Sequence, residues 1–153
     1  MSVDDAAVRE FLTGGRPVRK DRIIVHHSAT ADGATFSWGA IRKYHLGLGW
    51  RDIGYHGGVE LVGDHYEAMF GRDWDTDGAH TLGQNERALG ICFVGNFDDA
   101  PCPDAQLETG AVVIRTWMRL YGIPASEVYP HSRFQNKTCP GTRFDLERLR
   151  GML

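Results

Sequence analysis

The loop from His131 to Cys139 contains three side chains that could do chemistry: an imidazole, the amine of Lys137 and a thiol. Imidazole nitrogen and thiolate sulfur are two of the ligand atoms that zinc prefers in proteins. The ends of the loop would lie about 26–29 Å apart in an extended chain, so the loop must fold back for both to reach one ion. Asn136 and Pro140 favour turns and allow this folding. Three protein ligands would make a catalytic zinc site with an open position, whereas four would make a structural site.

A third ligand is needed before this loop becomes a metal site, and His26 is the strongest candidate. It directly follows the apolar residues 23–25, which are predicted to form a buried strand. A side chain at the end of a strand is held on a rigid element, which suits a metal ligand. His131 follows another short predicted strand, residues 128–129, and neighbouring strands would bring the two histidines together. Taken singly, any of the seven histidines is better explained as a surface or core residue than as a metal ligand.

A second metal motif competes with this one. Residues 73–78 match the opening of a calcium-binding loop, with acidic residues at alternate positions and a glycine at the sixth. The bidentate glutamate that should complete such a loop is replaced by Gln84, and the flanking sequence is not typical of helices. We therefore predict a solvated acidic loop rather than a calcium site.

The composition is that of one globular domain. The chain has 153 residues, of which 42% are hydrophobic and 24% charged, and a net charge of −3, which gives no electrostatic basis for binding nucleic acid. No apolar stretch approaches the roughly 20 residues of a membrane-spanning helix. Residues 1–10 have neither a basic start nor an apolar signal core, so we expect synthesis in the cytoplasm and no membrane association.

Predicted strands alternate with predicted helices, which favours an α/β layered domain with helices packed on a sheet. The predicted strands are residues 23–25, 59–62, 65–70, 89–94 and 128–129. The predicted helices begin at residues 4, 37, 104 and 144 and end at Gly14, near Leu48, at Gly122 and at Leu153. The strand order does not follow from this pattern.

The three cysteines are an odd number, which argues against a disulfide scaffold. Cys92 lies inside an apolar run and is predicted to be a small buried residue. Cys102 lies between two prolines and is predicted to be an exposed loop residue. The two could pair under oxidation, although nothing in the sequence requires it.

Four segments in order along the chain resemble one protein family; they are residues 25–30, 49–56, 78–97 and 131–141. They are similar to the zinc-dependent N-acetylmuramoyl-L-alanine amidases of type 2, the group shared with peptidoglycan recognition proteins, and above all to short phage lysozyme-type amidases. The resemblance covers residues 22–148. It implies a single α/β domain with a central mixed sheet flanked by helices. We expect the amidase domain to span residues 22–153, with residues 1–21 forming an N-terminal helix and linker packed on it.

The resemblance implies one Zn²⁺ ion held by His26, His131 and Cys139, with a catalytic tyrosine at Tyr55 and a catalytic lysine at Lys137. The implied reaction is hydrolysis of the amide between N-acetylmuramic acid and L-alanine in peptidoglycan. Attack on that amide creates an oxyanion, which a lysine or a hydrogen-bond donor beside it would stabilise. Tyr55 could donate that hydrogen bond or orient the water, sharing the acid–base work with Lys137.

Four further histidines match positions in the family. His80 is implied to line the substrate groove, whereas packing is the expected role of His45 and His56. His27 adjoins a ligand but points to the opposite side of an extended chain, so it is a poor fourth ligand. Three ligands without a fourth imply a catalytic rather than a structural zinc.

The expected biological role is that of a phage or prophage endolysin, acting on the cell wall as a monomer after release by another route. A non-catalytic peptidoglycan-binding module is one alternative, but the retained Cys139, Tyr55 and Lys137 argue against it. An intracellular muropeptide-recycling amidase is another, disfavoured because those enzymes usually carry Asp at the position of Cys139. A drifted relative could cleave a non-muramyl amide. Contact with RNA polymerase, which some phage amidases of this kind make, is left open by the sequence.

Overall fold

The computed structural model describes residues 7–8, 20–30 and 37–153, and five strands in it form one sheet. The strands are β1 (Arg22–His27), β2 (Gly57–Val62), β3 (His65–Phe70), β4 (Ala88–Phe93) and β5 (Val128–Pro130). Their order is β3-β2-β4-β1-β5. β1 runs parallel to β4 and β5, β2 runs parallel to β4, and β3 is antiparallel to β2. The sheet is therefore mixed, and the predicted hairpin is its β2–β3 edge.

The helices lie close to their predicted positions. They are α1 (Trp38–Gly47), α2 (Asp104–Tyr121) and α3 (Leu146–Arg150), with short 3₁₀ turns at Ala125–Glu127 and His131–Arg133. Ser37 caps α1 as predicted, since its side chain accepts the Ala40 N–H. α2 ends at Gly122, whose φ of 67° a glycine adopts without steric cost. α3 begins later than predicted because Asp145 is its N-cap: the Asp145 side chain accepts the Arg148 N–H, and the helix starts at Leu146.

The sheet separates two apolar clusters. The larger one packs β1 and β4 against α2, with Trp117 fully buried at its centre. The smaller one, on the other face, contains Trp38, Ile53, Cys92 and Val94. Side chains alternate between faces along a strand, so β4 supplies residues to both clusters and all six of its residues are buried. A strand buried on both faces has a continuous run of apolar residues, which is why the sequence alone predicts a strand at residues 89–94.

The cysteines differ in part from their predicted environments. Cys92 is fully buried, as predicted. The prediction of an exposed Cys102 is wrong: it is only 6% exposed because it packs into the larger cluster at the start of α2, with its Sγ 3.6 Å from Gln106 Oε1. Cys92 and Cys102 belong to clusters on opposite faces of the sheet, and neither forms a disulfide.

The first predicted helix lies outside the described residues except for Ala7 and Val8, which are helical, and Val8 packs on the larger cluster. Within the described part of the chain, no helix is both long enough and apolar enough to cross a membrane.

Lys20 is a buried residue just before β1. Its Nζ donates hydrogen bonds to three backbone carbonyls, at 2.8 Å from Thr76 O in the acidic loop and at 3.0 Å from Glu86 O and 3.5 Å from Asn85 O just after it. Burial lowers the pKa of Lys20 to about 8, although nearby Asp77 and Asp75 favour its charged form. An ammonium group therefore lies against the loop whose sequence resembled a calcium site.

Candidate metal centre

The two histidine ligands predicted from the sequence come from adjacent parallel strands. Val25 of β1 pairs with Pro130 of β5, so the next residues, His26 and His131, lie side by side at the carboxyl ends of the strands. β1 extends two residues beyond its predicted end because His26 and His27 continue the pairing with β4. The loop after His131 folds back as required, and the Ser132 N–H donates to Cys139 O at 2.9 Å.

The donor atoms of His26, His131 and Cys139 converge. His26 Nδ1 lies 3.1 Å from His131 Nδ1 and 3.8 Å from Cys139 Sγ. One ligand atom from each residue lies within 4.8 Å of the other two, and no other group of this kind occurs in the described ranges. A tetrahedral zinc ion would separate two nitrogen ligands by about 3.3 Å and a nitrogen and a sulfur by about 3.6 Å. The donor set therefore fits zinc in both chemistry and spacing.

The electrostatics of the site favour a bound cation. Burial, together with nearby His80 and His131, lowers the pKa of His26 well below its usual range, so its imidazole stays neutral. Burial raises the pKa of Cys139 to about 11, although the His27 N–H, 3.4 Å from its sulfur, and Lys137 oppose this shift. Two neutral imidazoles and a thiol that a metal would deprotonate form a zinc-type ligand set.

His80 holds His26 in a defined orientation. Its Nε2 lies 3.4 Å from the Ala88 carbonyl, which can only accept, so Nε2 carries the hydrogen. Burial lowers the pKa of His80 to about 3, so its Nδ1 is unprotonated and accepts from His26 Nε2 at 2.9 Å. The remaining nitrogen of His26, Nδ1, then directs its lone pair at His131 and Cys139. A ligand imidazole whose other nitrogen donates in this way is typical of protein metal sites.

Space for the His80 ring depends on Gly90 of β4, which lies beneath it. A Cβ built on Gly90 would lie 2.5 Å from His80 Cδ2 and 2.7 Å from its Nε2. Any larger residue at this position would displace the ring. The sequence motif around residue 90 therefore includes a glycine for a steric reason.

A cleft of about 390 Å³ opens above the three candidate ligands. Its lining includes all six of the site residues predicted from the sequence: His26, Tyr55, His80, His131, Lys137 and Cys139. The Tyr55 ring lies 5.2 Å from that of His26, measured between centroids. Burial raises the pKa of Tyr55 well above its usual range, so the phenol keeps its proton. Lys137 is exposed at the cleft, where its ammonium can contact a molecule bound in the cleft.

His27 and His45 accept hydrogen bonds from backbone N–H groups. His27 Nδ1 accepts the Phe97 N–H at 3.1 Å, so this nitrogen is already occupied away from the three ligands. His45 Nδ1 accepts the Gly54 N–H at 3.0 Å, and its ring packs 4.5 Å from that of Trp50. His45 also lines the cleft.

His56 gives a testable acid dependence of stability. The His56 imidazole is fully buried in the folded protein, and this burial lowers its pKa well below its usual range. Its Nε2 lies 2.8 Å from Thr76 O, and its Nδ1 accepts the Gly90 N–H. The unfolded chain binds a proton near pH 6.5 that the folded chain does not bind, so stability falls as pH drops below that value. The slope is up to about 1.4 kcal/mol per pH unit for each such imidazole.

We expect the free energy of urea unfolding of the metal-free protein to show this slope between about pH 7.5 and pH 5. His56→Gln should lower the slope by the contribution of one proton, up to about 1.4 kcal/mol per pH unit. His65→Gln is the matched control because His65 is exposed, and neighbouring carboxylates raise rather than lower its pKa. Equal slopes in the wild type and His56→Gln would contradict the assignment.

The chain belongs to the N-acetylmuramoyl-L-alanine amidase family, whose sequence model matches residues 14–142. The endolysin of Escherichia phage T7 is 34% identical over 133 residues, covering 84% of this chain and 83% of the endolysin. Peptidoglycan-recognition protein SC2 of Drosophila melanogaster is 30% identical over 126 residues, covering 78% and 67%. The solved structure of the amidase LysC from Clostridium intestinale URNW superposes with a TM-score of 0.75 at 27% identity, covering 88% and 85%.

These similarities confirm the predicted family, the predicted fold and the predicted enzyme class. The sequence did not reveal the contact between His80 and His26, nor any role for Gln135, whose side chain contacts His131. The only signal for Gln135 was its position inside the loop between two candidate ligands.

Proposed function

We propose that this amidase uses one zinc ion, held by His26, His131 and Cys139, to hydrolyse the bond between N-acetylmuramic acid and L-alanine. The observation that carries this proposal is the convergence of the three donor atoms at the wall of the cleft, with Nδ1–Nδ1 and Nδ1–Sγ distances of 3.1 and 3.8 Å. Zinc bound there would act as a Lewis acid toward the amide carbonyl and would lower the pKa of a water molecule.

Tyr55 and Lys137 are proposed to act on the reacting amide. Attack on the carbonyl places negative charge on its oxygen, and groups aimed at that charge lower the barrier. The Lys137 ammonium supplies a positive charge at the cleft. The Tyr55 phenol keeps its proton and can donate a hydrogen bond to the same oxygen or orient the attacking water.

His80 is proposed to serve the substrate groove and the metal centre together. It lines the cleft, which supports contact with substrate, and its Nδ1 accepts the hydrogen bond from His26. These roles use different parts of the ring, because Nδ1 is already committed to His26.

We propose that the natural partner is peptidoglycan and that the protein works as a phage or prophage endolysin, made in the cytoplasm and released to the wall by another route. The similarity to the T7 endolysin over 84% of this chain supports this role. Cys139 as the third ligand favours it over a muropeptide-recycling amidase.

The decisive experiment is digestion of purified peptidoglycan followed by mass spectrometry of the soluble products. We expect stem peptides with a free L-alanine amine and glycan strands with an intact lactyl carboxylate. A chelator should stop their release, and added zinc should restore it. Continued release from zinc-free protein would exclude the metal mechanism, and binding to the wall without products would favour a recognition module.

A further inference from the structure

Gln135 lies between the two ligands of the His131–Cys139 loop, and its side chain bridges two separate parts of the chain. Its Oε1 is 2.5 Å from His131 Nε2 and 3.4 Å from the backbone nitrogen of Leu82. The Gln135 side chain is partly buried.

The direction of these hydrogen bonds follows from the donors available. A backbone N–H can only donate, so the Gln135 atom that faces Leu82 is the carbonyl oxygen rather than the amide nitrogen. That oxygen can only accept, so His131 Nε2 carries the hydrogen. A neutral imidazole has one N–H, which leaves the lone pair on His131 Nδ1. This is the nitrogen that lies 3.1 Å from His26 Nδ1.

We propose that Gln135 is a positioning residue that fixes the tautomer and ring orientation of His131 for metal binding. This inference rests on the zinc site of the proposed function and adds a residue outside the ligand set. Groups that accept the second N–H of a histidine ligand orient its ring and increase its basicity, and their loss typically weakens metal binding by about 10–100-fold.

The same short segment controls both histidine ligands. The His80 side chain accepts from His26, and the backbone of Leu82 holds the Gln135 oxygen against His131. The Asn85 side chain in turn accepts the backbone N–H groups of His80 and Thr81, at 2.8 and 2.9 Å. The segment 80–82 is therefore a common support for two ligands that are 105 positions apart in sequence.

The test measures zinc affinity by competition with a chromogenic chelator, for the wild type and three variants. Gln135→Leu keeps most of the side-chain volume and removes the acceptor, so we expect zinc affinity to fall about 10–100-fold. Gln135→Glu keeps an acceptor and should bind zinc at least as tightly as the wild type. Arg133→Ala alters another exposed residue of the same loop and should leave the affinity unchanged.

The outcomes separate this inference from the function on which it rests. A wild type that binds no zinc overturns the proposed metal centre and the role of Gln135 with it. A wild type that binds zinc tightly, with Gln135→Leu equally tight, overturns only the role of Gln135. A loss in Gln135→Leu that Gln135→Glu does not restore also overturns it, because packing rather than hydrogen bonding would then be responsible. Should the leucine variant fail to fold, Gln135→Met makes the same comparison.

Discussion

Cys139→Ala is expected to remove bound zinc and to lower amidase turnover by at least about 10³-fold, because a metal ion supplies several kcal/mol of transition-state stabilisation. The thiol lies 3.8 Å from His26 Nδ1 and is one of only three residues that converge there among those described. Its loss leaves two imidazoles, which are too few to hold zinc in a tetrahedral site with one open position. Metal content by mass spectrometry and release of muropeptides from purified wall are the two measurements.

Cys102→Ala is the matched control for this substitution. Cys102 is also a buried cysteine that forms no disulfide, 6% exposed against 9% for Cys139, but it packs in the cluster on the far side of the sheet. The control should keep one zinc per chain and nearly full turnover, with only a loss of stability on the order of 1 kcal/mol from the lost packing. Stoichiometric zinc and full activity in Cys139→Ala would refute the ligand assignment.

Lys137→Ala and Tyr55→Phe are expected to lower turnover by about 10²–10³-fold each, the usual effect of removing one group that stabilises an oxyanion. Both side chains line the cleft, but neither belongs to the convergent donor set. Bound zinc should therefore remain at one ion per chain in both variants. Steady-state cleavage of a soluble muropeptide gives the turnover, and metal analysis gives the zinc content.

Each of these variants has a control of the same chemistry. Lys43→Ala removes an exposed lysine from α1, and Tyr66→Phe removes a hydroxyl from the β3 edge strand. Both controls should retain turnover. Full activity in Lys137→Ala or Tyr55→Phe would remove that residue from the proposed mechanism, and a loss of zinc would reassign it to the metal centre.

The sequence was most informative where local pattern and chemistry coincide. β1 and β4 are apolar because they are buried on both faces, so their positions could be predicted from the residues alone. His26 could be nominated because it follows such a strand, and His131 because it shares a loop with Cys139. The family resemblance then supplied the mixed sheet, which alternation of strands and helices does not specify.

What the sequence could not supply depends on how loops pack. The hydrogen bond from His26 to His80 joins residues 54 positions apart, and its direction follows from the Ala88 carbonyl behind His80. The role of Gln135 likewise depends on Leu82, in a loop from another part of the chain. Cys102 was misplaced because flanking prolines indicate a turn but do not show that the turn packs against α2.

Lys20 has a practical consequence for experiments with chelators. Its ammonium donates hydrogen bonds to the carbonyls of Thr76, Asn85 and Glu86, so a positive charge that belongs to the protein itself lies against the loop that resembled a calcium site. A reagent that strips divalent metals cannot remove this charge. The loop that carries His80 should therefore keep its shape in the chelated protein, and we expect the activity lost on chelation to come from the proposed His26–His131–Cys139 centre.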